Sequence, residues 1–159
     1  MLRSLKHYRV SSVLNDDPQF SKRHLIDGRD DTCWNSDAGE TQSITLKFRR
    51  PVNVRRLELT FQGGFAPGRM SIIPGNIVGS TIKYAVERGS RYSVADNNSR
   101  QGFVFSCDNT EVLRIVFTDM SDDFGRVIVY QLTIYGEDSA NQQPGSPLRE
   151  TLQETTADE

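Results

Sequence analysis

Apolar and polar residues alternate with a period of two along much of the chain, and this pattern predicts β-strands rather than helices. The alternation runs through residues 43–48, is interrupted at Pro51 and resumes over residues 54–61. Further strands are predicted for residues 80–86, 102–105 and 112–117. Residues 126–135 are rich in β-branched and aromatic side chains, so we expect this strand to lie centrally in a sheet.

Helical signals are confined to residues 18–26. Asp17 is a suitable N-cap and Pro18 fits the first helical position, but the segment has room for only one or two turns. Without helices between the strands, the crossovers of a parallel α/β sheet cannot form. We therefore predict an all-β fold in which two antiparallel sheets pack face to face, as a β-sandwich or jelly roll.

The chain of 159 residues is long enough for one domain with a substantial core, which we assign to residues 1–138. Residues 139–159 contain no aromatic residue, and their polar, acidic composition predicts a disordered tail. We find no apolar run of membrane-spanning length and no secretory signal at the start. We therefore expect an intracellular protein, nuclear or cytoplasmic, in which Cys33 and Cys107 are free thiols.

The overall charge argues against a polyanionic partner. Residues 1–138 carry 18 basic and 17 acidic side chains, so their binding to nucleic acid would release few counterions. The basic neighbours Arg55 and Arg56 lie on a predicted strand and therefore point to opposite faces. Nucleic-acid binding stays an alternative that salt-dependent retention on a DNA column would reveal.

Residues 24–37 concentrate side chains that suit a cation. Asp27, Asp30 and the Thr32 hydroxyl are hard oxygen ligands, and Ca²⁺ binds about six to eight of these in a flexible geometry. The spacing excludes an EF-hand because a glycine follows the first aspartate at once. Two other interpretations stay open: a direct ligand site, or an acidic turn whose side chains bond their own backbone while Trp34 fills the core.

The longest predicted loop comprises residues 62–79, which include five glycines and two prolines. Its apolar side chains either fold back onto the sandwich or anchor a partner, and they are Phe65, Met70, Ile72 and Ile73. Arg69 lies among them and belongs to the same predicted partner site. A second loop, residues 119–126, adds Phe124 and Arg126 to this site unless it is a solvated turn.

Catalytic motifs are absent from the sequence: there is no G-x-S-x-G elbow, phosphate-binding loop or H-E-x-x-H helix. Only His7 and His24 could act as imidazole bases, and His24 lies in the predicted helical turn. The adjacent carboxylates Asp122 and Asp123 would point apart on an extended chain, unlike a glycosidase pair. We therefore expect a non-enzymatic protein.

Four segments of the chain resemble discoidin-type domains, the C-type domains of coagulation factors 5 and 8. They are RVSSVLN (9–15), KRHLIDGRDDTCWNSD (22–37), LELTFQGGF (57–65) and DDFGRVIVYQLTIYGE (122–137). The same segments resemble a family of small nuclear-receptor-associated proteins. The resemblance covers most of residues 8–138 and implies a galactose-binding-like jelly roll that binds ligands rather than catalysing reactions.

The resemblance also implies where ligands bind. Related domains hold a structural calcium with the loop before the tryptophan and an acid after the last strand, which here are Asp27, Asp30, Thr32 and Glu137. Loops at one end of the sandwich carry recognition, which implies the predicted partner site. Because the chain lacks a secretory signal, we expect a protein partner, such as a nuclear receptor or a multi-subunit complex, with a carbohydrate as the alternative.

Overall fold

Nine β-strands, connected by loops and short 3₁₀ turns, make up the described residues, 4–140 and 148–151, of this computed structural model. The strands are β1 (Leu5–Val10), β2 (Trp34–Asn35), β3 (Thr41–Phe61), β4 (Pro67–Val78), β5 (Thr81–Tyr84), β6 (Ser90–Ser93), β7 (Arg100–Met120), β8 (Ile128–Asp138) and β9 (Leu148–Thr151). The 3₁₀ turns span Leu14–Asp16, Pro18–Phe20, Lys22–Leu25 and Val86–Arg88. Every strand pair is antiparallel, which confirms the predicted all-β class.

Two long strands, β3 and β7, run through both layers of the sandwich. Residues 41–47 of β3 pair with residues 112–118 of β7, and β1 and β4 lie on either side of them. Residues 52–60 of β3 pair with residues 100–110 of β7 on one side and with β8 on the other. We name the part with β1, β4, β5 and β6 the first layer, and the part with β2, β8 and β9 the second layer.

The change of layer occurs where the register between β3 and β7 shifts, between Lys47 and Arg56. A bulge bends a strand without ending its pairing and accommodates a proline, so Pro51 lies inside β3. The sequence predicts two strands around Pro51, whereas the structure has one. For the same reason the predicted strands 102–105 and 112–117 are parts of a single β7.

Aromatic side chains fill the space between the two layers. Phe61 from the second layer meets Phe117 from the first edge to face, with 5.7 Å between ring centroids. Trp34 is fully buried beside Phe117, at 6.4 Å between centroids, and its Nε1 donates to the carbonyl oxygen of Ser12 at 2.8 Å. The prediction that Trp34 is a core residue is confirmed.

Residues 67–78 form strand β4, so the prediction of a loop over residues 62–79 is wrong for most of its length. Alternate side chains of β4 face the core, and Met70 and Ile72 are buried there. The strand is held by β7 along one edge and by β5 and β6 along the other. This pairing outweighs the low strand propensity of the glycines and prolines in the segment.

Two segments, residues 18–26 and the predicted tail 139–159, differ in part from what the sequence predicts. Residues 18–26 contain two 3₁₀ turns, and Asp17 Oδ1 accepts a hydrogen bond from the backbone N of Gln19 at 2.9 Å, as expected of an N-cap. Within the predicted tail, Leu148–Thr151 pairs with β8 as β9. Residues 141–147 and 152–159 lie outside the described residues, so their disorder stays a prediction.

No helix in the described ranges has the length and apolar character to cross a membrane.

Candidate functional site

A stack of two aromatic rings around one guanidinium lies at one end of the sandwich. The Arg126 Cζ is 5.4 Å from the centroid of Phe65 and 5.5 Å from the centroid of Phe124. Both distances are within the range of cation–π attraction. Phe65 lies before β4 and the other two residues lie before β8, so the loops at this end bring them together. We call these three residues the aromatic–arginine cluster.

Asp122 fixes the geometry of the cluster. Its Oδ2 accepts from the backbone N atoms of Phe124 and Arg126, at 3.2 and 3.1 Å, and from Arg126 Nε at 2.9 Å. Its Oδ1 accepts from an Arg126 terminal nitrogen at 3.0 Å. These guanidinium hydrogen bonds hold the pKa of Asp122 below its ordinary value. The carboxylate therefore orients both the turn and the arginine.

The turn that carries Phe124 is packed tightly against a neighbouring loop. Gly125 adopts a φ of +82°, and a Cβ added to it would overlap the carbonyl oxygen of Gly39. Gly39 N donates to the carbonyl oxygen of Phe124 at 3.0 Å. The Ser36 hydroxyl accepts from Val127 N at 2.9 Å immediately after the turn. These contacts fix residues 122–127, which we call the platform, in one conformation. Glycine is required at position 125, where the two backbones meet.

Phe124 is 69% exposed on this platform, which makes it the most exposed large apolar side chain among the described residues. It borders a cleft of about 530 Å³. The cleft lining includes four acidic residues, Glu40, Asp119, Asp122 and Asp123. Asp119 also forms an ion pair with Arg69 on β4, with 3.2 Å between Asp119 Oδ2 and Arg69 Nε. The cleft therefore offers an apolar ring beside hydrogen-bond acceptors.

The structure divides the predicted partner-binding residues into three groups. Phe65, Phe124 and Arg126 come together, and Arg69 lies at the rim through Asp119. Met70 and Ile72 are buried in the core and offer no surface to a partner, which corrects the prediction for these two. Ile73 is half-buried on the opposite face of β4. The sequence does not indicate Gly39, because a glycine that serves only a long-range backbone contact has no local signal.

Among the four predicted calcium ligands, Asp27 and Thr32 meet in a hydrogen-bonded turn. Asp27 Oδ2 accepts from Thr32 Oγ1 at 2.5 Å and lies 3.0 Å from His24 Nδ1, while Asp27 Oδ1 accepts from the backbone N of Arg29 at 3.0 Å. Partial burial raises the pKa of Asp27, but these hydrogen bonds outweigh it and hold the pKa below its ordinary value. Both carboxylate oxygens of Asp27 thus accept hydrogen bonds within the turn.

Glu137 lies far from that turn. The turn meets β8 at Gln131, whose Nε2 donates to the carbonyl oxygen of Arg29 at 3.3 Å. Glu137 lies six residues beyond Gln131 on the same strand, a distance of about 20 Å. There its carboxylate pairs with Arg55 at 3.1 Å and accepts a hydrogen bond from Asn53 at 3.3 Å. The predicted four-ligand site is therefore not assembled. Across the described residues, no group of three or more His, Cys, Asp or Glu side chains is arranged to hold a metal.

Asp27→Asn should lower the free energy of unfolding by about 1–2 kcal/mol at neutral pH, equally in EDTA and in CaCl₂, because it weakens hydrogen bonds rather than a metal site. The lowered pKa of Asp27 means that its contribution is complete above the ordinary carboxyl pKa and is lost as the pH falls through the folded-state pKa. Thermal melts across this pH range measure the effect. A melting temperature that rises with calcium and falls with EDTA would instead support the calcium prediction.

Comparison with known proteins gives a consistent family and fold. No family model matches the chain. The chain is 42% identical over 130 residues to the nuclear receptor 2C2-associated protein of Homo sapiens, covering 81% of this chain and 90% of the human protein. It is 41% identical over 131 residues to the protein of that name from Danio rerio, covering 81% and 89%.

Solved structures support the same fold at low sequence identity. Chitosan-binding module 1 from a Paenibacillus chitosanase/glucanase matches with a TM-score of 0.68 and 19% identity, over 85% of this chain and 98% of that chain. The family 32 carbohydrate-binding module of Clostridium perfringens NanJ, solved with galactose, matches with a TM-score of 0.60 and 18% identity, over 80% and 90%. The chain thus has the predicted galactose-binding-like jelly roll, and it belongs to the nuclear receptor 2C2-associated protein family.

Proposed function

We propose that this chain is a non-catalytic binding module that engages a protein partner through the aromatic–arginine cluster. The observation that carries the proposal is the exposure of Phe124 on a turn fixed by Asp122 and by the Gly39–Gly125 contact. Aromatic and arginine side chains are the residues that most often dominate binding energy in protein interfaces. A rigid platform also loses little conformational entropy when a partner binds.

The names of the relatives support the class of partner. They are named for association with nuclear receptor 2C2, so we take a nuclear receptor, or a complex that contains one, as the candidate partner of this chain. In that case the protein acts inside the cell, in the nucleus or cytoplasm, as a co-regulator of transcription. Arg69 lies on β4 beside the cleft, where it pairs with Asp119, and is a candidate for the outer part of the interface. Ile73 lies four residues further along β4, about 13 Å from Arg69, where it pairs with Arg114.

The state of the histidines supports a non-catalytic role. Both ring nitrogens of His24 are engaged, Nδ1 with Asp27 at 3.0 Å and Nε2 with the carbonyl oxygen of Pro18 at 3.2 Å. His24 is therefore part of the turn rather than a free base. His7 lies on β1 in the first layer, away from the acidic cleft at the loop end. No histidine is among the residues that line this cleft, so neither imidazole is placed to act there as a general acid or base.

Phe124→Ala should weaken capture of the partner by about 10-fold or more without changing the melting temperature, because the ring is exposed and adds little to the core. A pull-down from source cells, or with purified nuclear receptor 2C2, measures the loss. Val104→Ala is the matched control, since Val104 is 68% exposed on the second layer. Equal capture by wild type and Phe124→Ala would remove this cluster from the interface.

A carbohydrate is the second candidate ligand, and the cleft beside Phe124 is the observation that favours it. An exposed ring can stack on a sugar face, while carboxylates such as Glu40 and Asp123 accept hydrogen bonds from hydroxyls. Titration calorimetry with galactose and with chitotriose tests this candidate directly. Saturable heat that disappears in Phe124→Ala would favour the carbohydrate, whereas heat of dilution alone would leave the protein partner.

A further inference from the structure

The outer face of the first layer carries basic side chains from five neighbouring strands. Residues paired across antiparallel strands share a face, and the alternate residues point into the core. The register places Arg9, Thr45, Arg114 and Ile73 in one row across β1, β3, β7 and β4. The next two rows are Ser43, Val116, Ser71 and Arg91, and then Thr41, Thr118, Arg69 and Ser93. With Lys47, which pairs with His7, these rows form what we call the basic face.

The rows of the basic face supply cations and hydroxyls, and carboxylates border the face at one edge, where Thr41 and Thr118 also line the acidic cleft. None of its three rows contains aspartate or glutamate. Within the part of the chain that the structure describes, Arg9, Lys47 and Arg91 form no ion pair. Arg69 does, through Asp119 beyond the end of its row. The near-neutral charge of the domain therefore conceals a separation of charge between this face and the acidic cleft.

The lowered pKa of His7 reflects partial burial and the positive charges on the same face. Its pKa is lowered by partial burial and then by the charges of Lys47 and Arg9, with smaller contributions from Lys6 and Lys22. A depression of about 430 Å³ also lies on the basic face between β4 and β6. Its lining includes Arg69, Ser71, Arg91, Ser93 and Thr118, so hydrogen-bond donors surround it.

We propose that the basic face binds the sugar–phosphate backbone of a nucleic acid, without selecting a base sequence. Guanidinium groups and hydroxyls are the donors that contact phosphate oxygens in such complexes. The face spans five strands, about 19 Å at ordinary strand spacing, which is broader than one extended peptide. Its apolar groups, Val116 and Ile73, are half-buried and give an acidic peptide little to anchor on. This activity goes beyond partner binding at the aromatic–arginine cluster.

The test is fluorescence anisotropy of the purified full chain with a labelled single-stranded oligonucleotide, and separately with the corresponding duplex. Four cationic contacts to a single strand, from Arg9, Lys47, Arg91 and Arg114, give a slope of about −2.8 for the logarithm of affinity against the logarithm of salt concentration. Affinity should therefore fall about 50-fold between about 50 and 200 mM NaCl. The absence of binding at low salt, or binding indifferent to salt, would overturn the proposal.

Charge-neutral variants locate the contact. Arg9→Gln combined with Arg91→Gln removes cations from opposite edges of the face and should reduce the slope by about 1.4, while Arg9→Lys with Arg91→Lys should preserve it. Arg29→Gln combined with Arg100→Gln is the matched control, because both arginines are exposed and lie off the face. Equal weakening by the control pair would overturn the proposal. Displacement of the oligonucleotide by polyglutamate of equal charge would overturn it in favour of an acidic peptide.

Discussion

Trp34→Ala should lower the free energy of unfolding by about 3–5 kcal/mol, as truncations of large buried aromatic residues do. Trp34 is fully buried and packs against Phe117 between the two layers. Its removal leaves a cavity and also deprives the Ser12 carbonyl oxygen of the indole N–H donor. For a domain of this size the melting temperature should fall by about 10–20 °C, which a thermal melt followed by circular dichroism measures.

Trp34→Phe separates the two contributions. Phenylalanine keeps most of the apolar contact with Phe117 but cannot donate to Ser12. We expect this variant to lose roughly half as much stability as the alanine variant. If Trp34→Ala melts at the wild-type temperature, the ring does not support the core and the packing described for the two layers is wrong.

The strands and the fold class were predictable because side-chain alternation is a local property. Residues 43–48 and 54–61 carry the period of two, and both belong to β3. The burial of Trp34 was also predictable, since a single large aromatic next to a strand has few stable places outside a core. That β3 passes from one layer to the other was not predictable from the alternation alone, because only the pairing with β7 and β8 defines the bend.

Strand β4 shows where local reasoning fails. Its sequence contains glycine and proline at several positions, which favours a loop when the segment is considered by itself. In the structure it lies between β7 and the short strands β5 and β6, and Met70 and Ile72 complete the core. The burial gained through these distant contacts decides the conformation. The apolar residues of the segment are consistent with folding back onto the sandwich, but they do not indicate that the segment does so as a strand.

The sequence indicates which side chains form the candidate site, but not all of the contacts that hold them in place. Aromatic and arginine residues in glycine-rich loops indicated Phe65, Phe124 and Arg126, which the structure brings together. Asp122 has a weak local signal, as an aspartate that caps a turn ending in glycine. Among the predicted calcium ligands, Asp27 and Thr32 are five residues apart and meet in one turn, whereas the position of Glu137 depends on where β8 runs. Net charge does not indicate the basic face, because it averages the charges of all surfaces.

Gly125→Ala should destabilise the platform under Phe124 and abolish partner capture. The φ of +82° is strained for alanine, and the added Cβ overlaps the backbone of Gly39, so one of the two loops must move. Strain and overpacking together cost about 2–4 kcal/mol. A shift of either loop also breaks the bond from Gly39 N to the Phe124 carbonyl oxygen, and the ring is no longer held in place.

Gly64→Ala is the matched control for backbone strain. Gly64 also has a positive φ, +90°, but no atom lies within 4 Å of the position of its added Cβ. This variant should lose about 1–2 kcal/mol from strain alone and should still capture the partner. Thermal melts and the pull-down used for Phe124→Ala compare the two glycines under the same conditions. If Gly125→Ala is as stable as Gly64→Ala and captures the partner equally well, the Gly39–Gly125 contact is not what positions Phe124, and the rigid-platform argument fails.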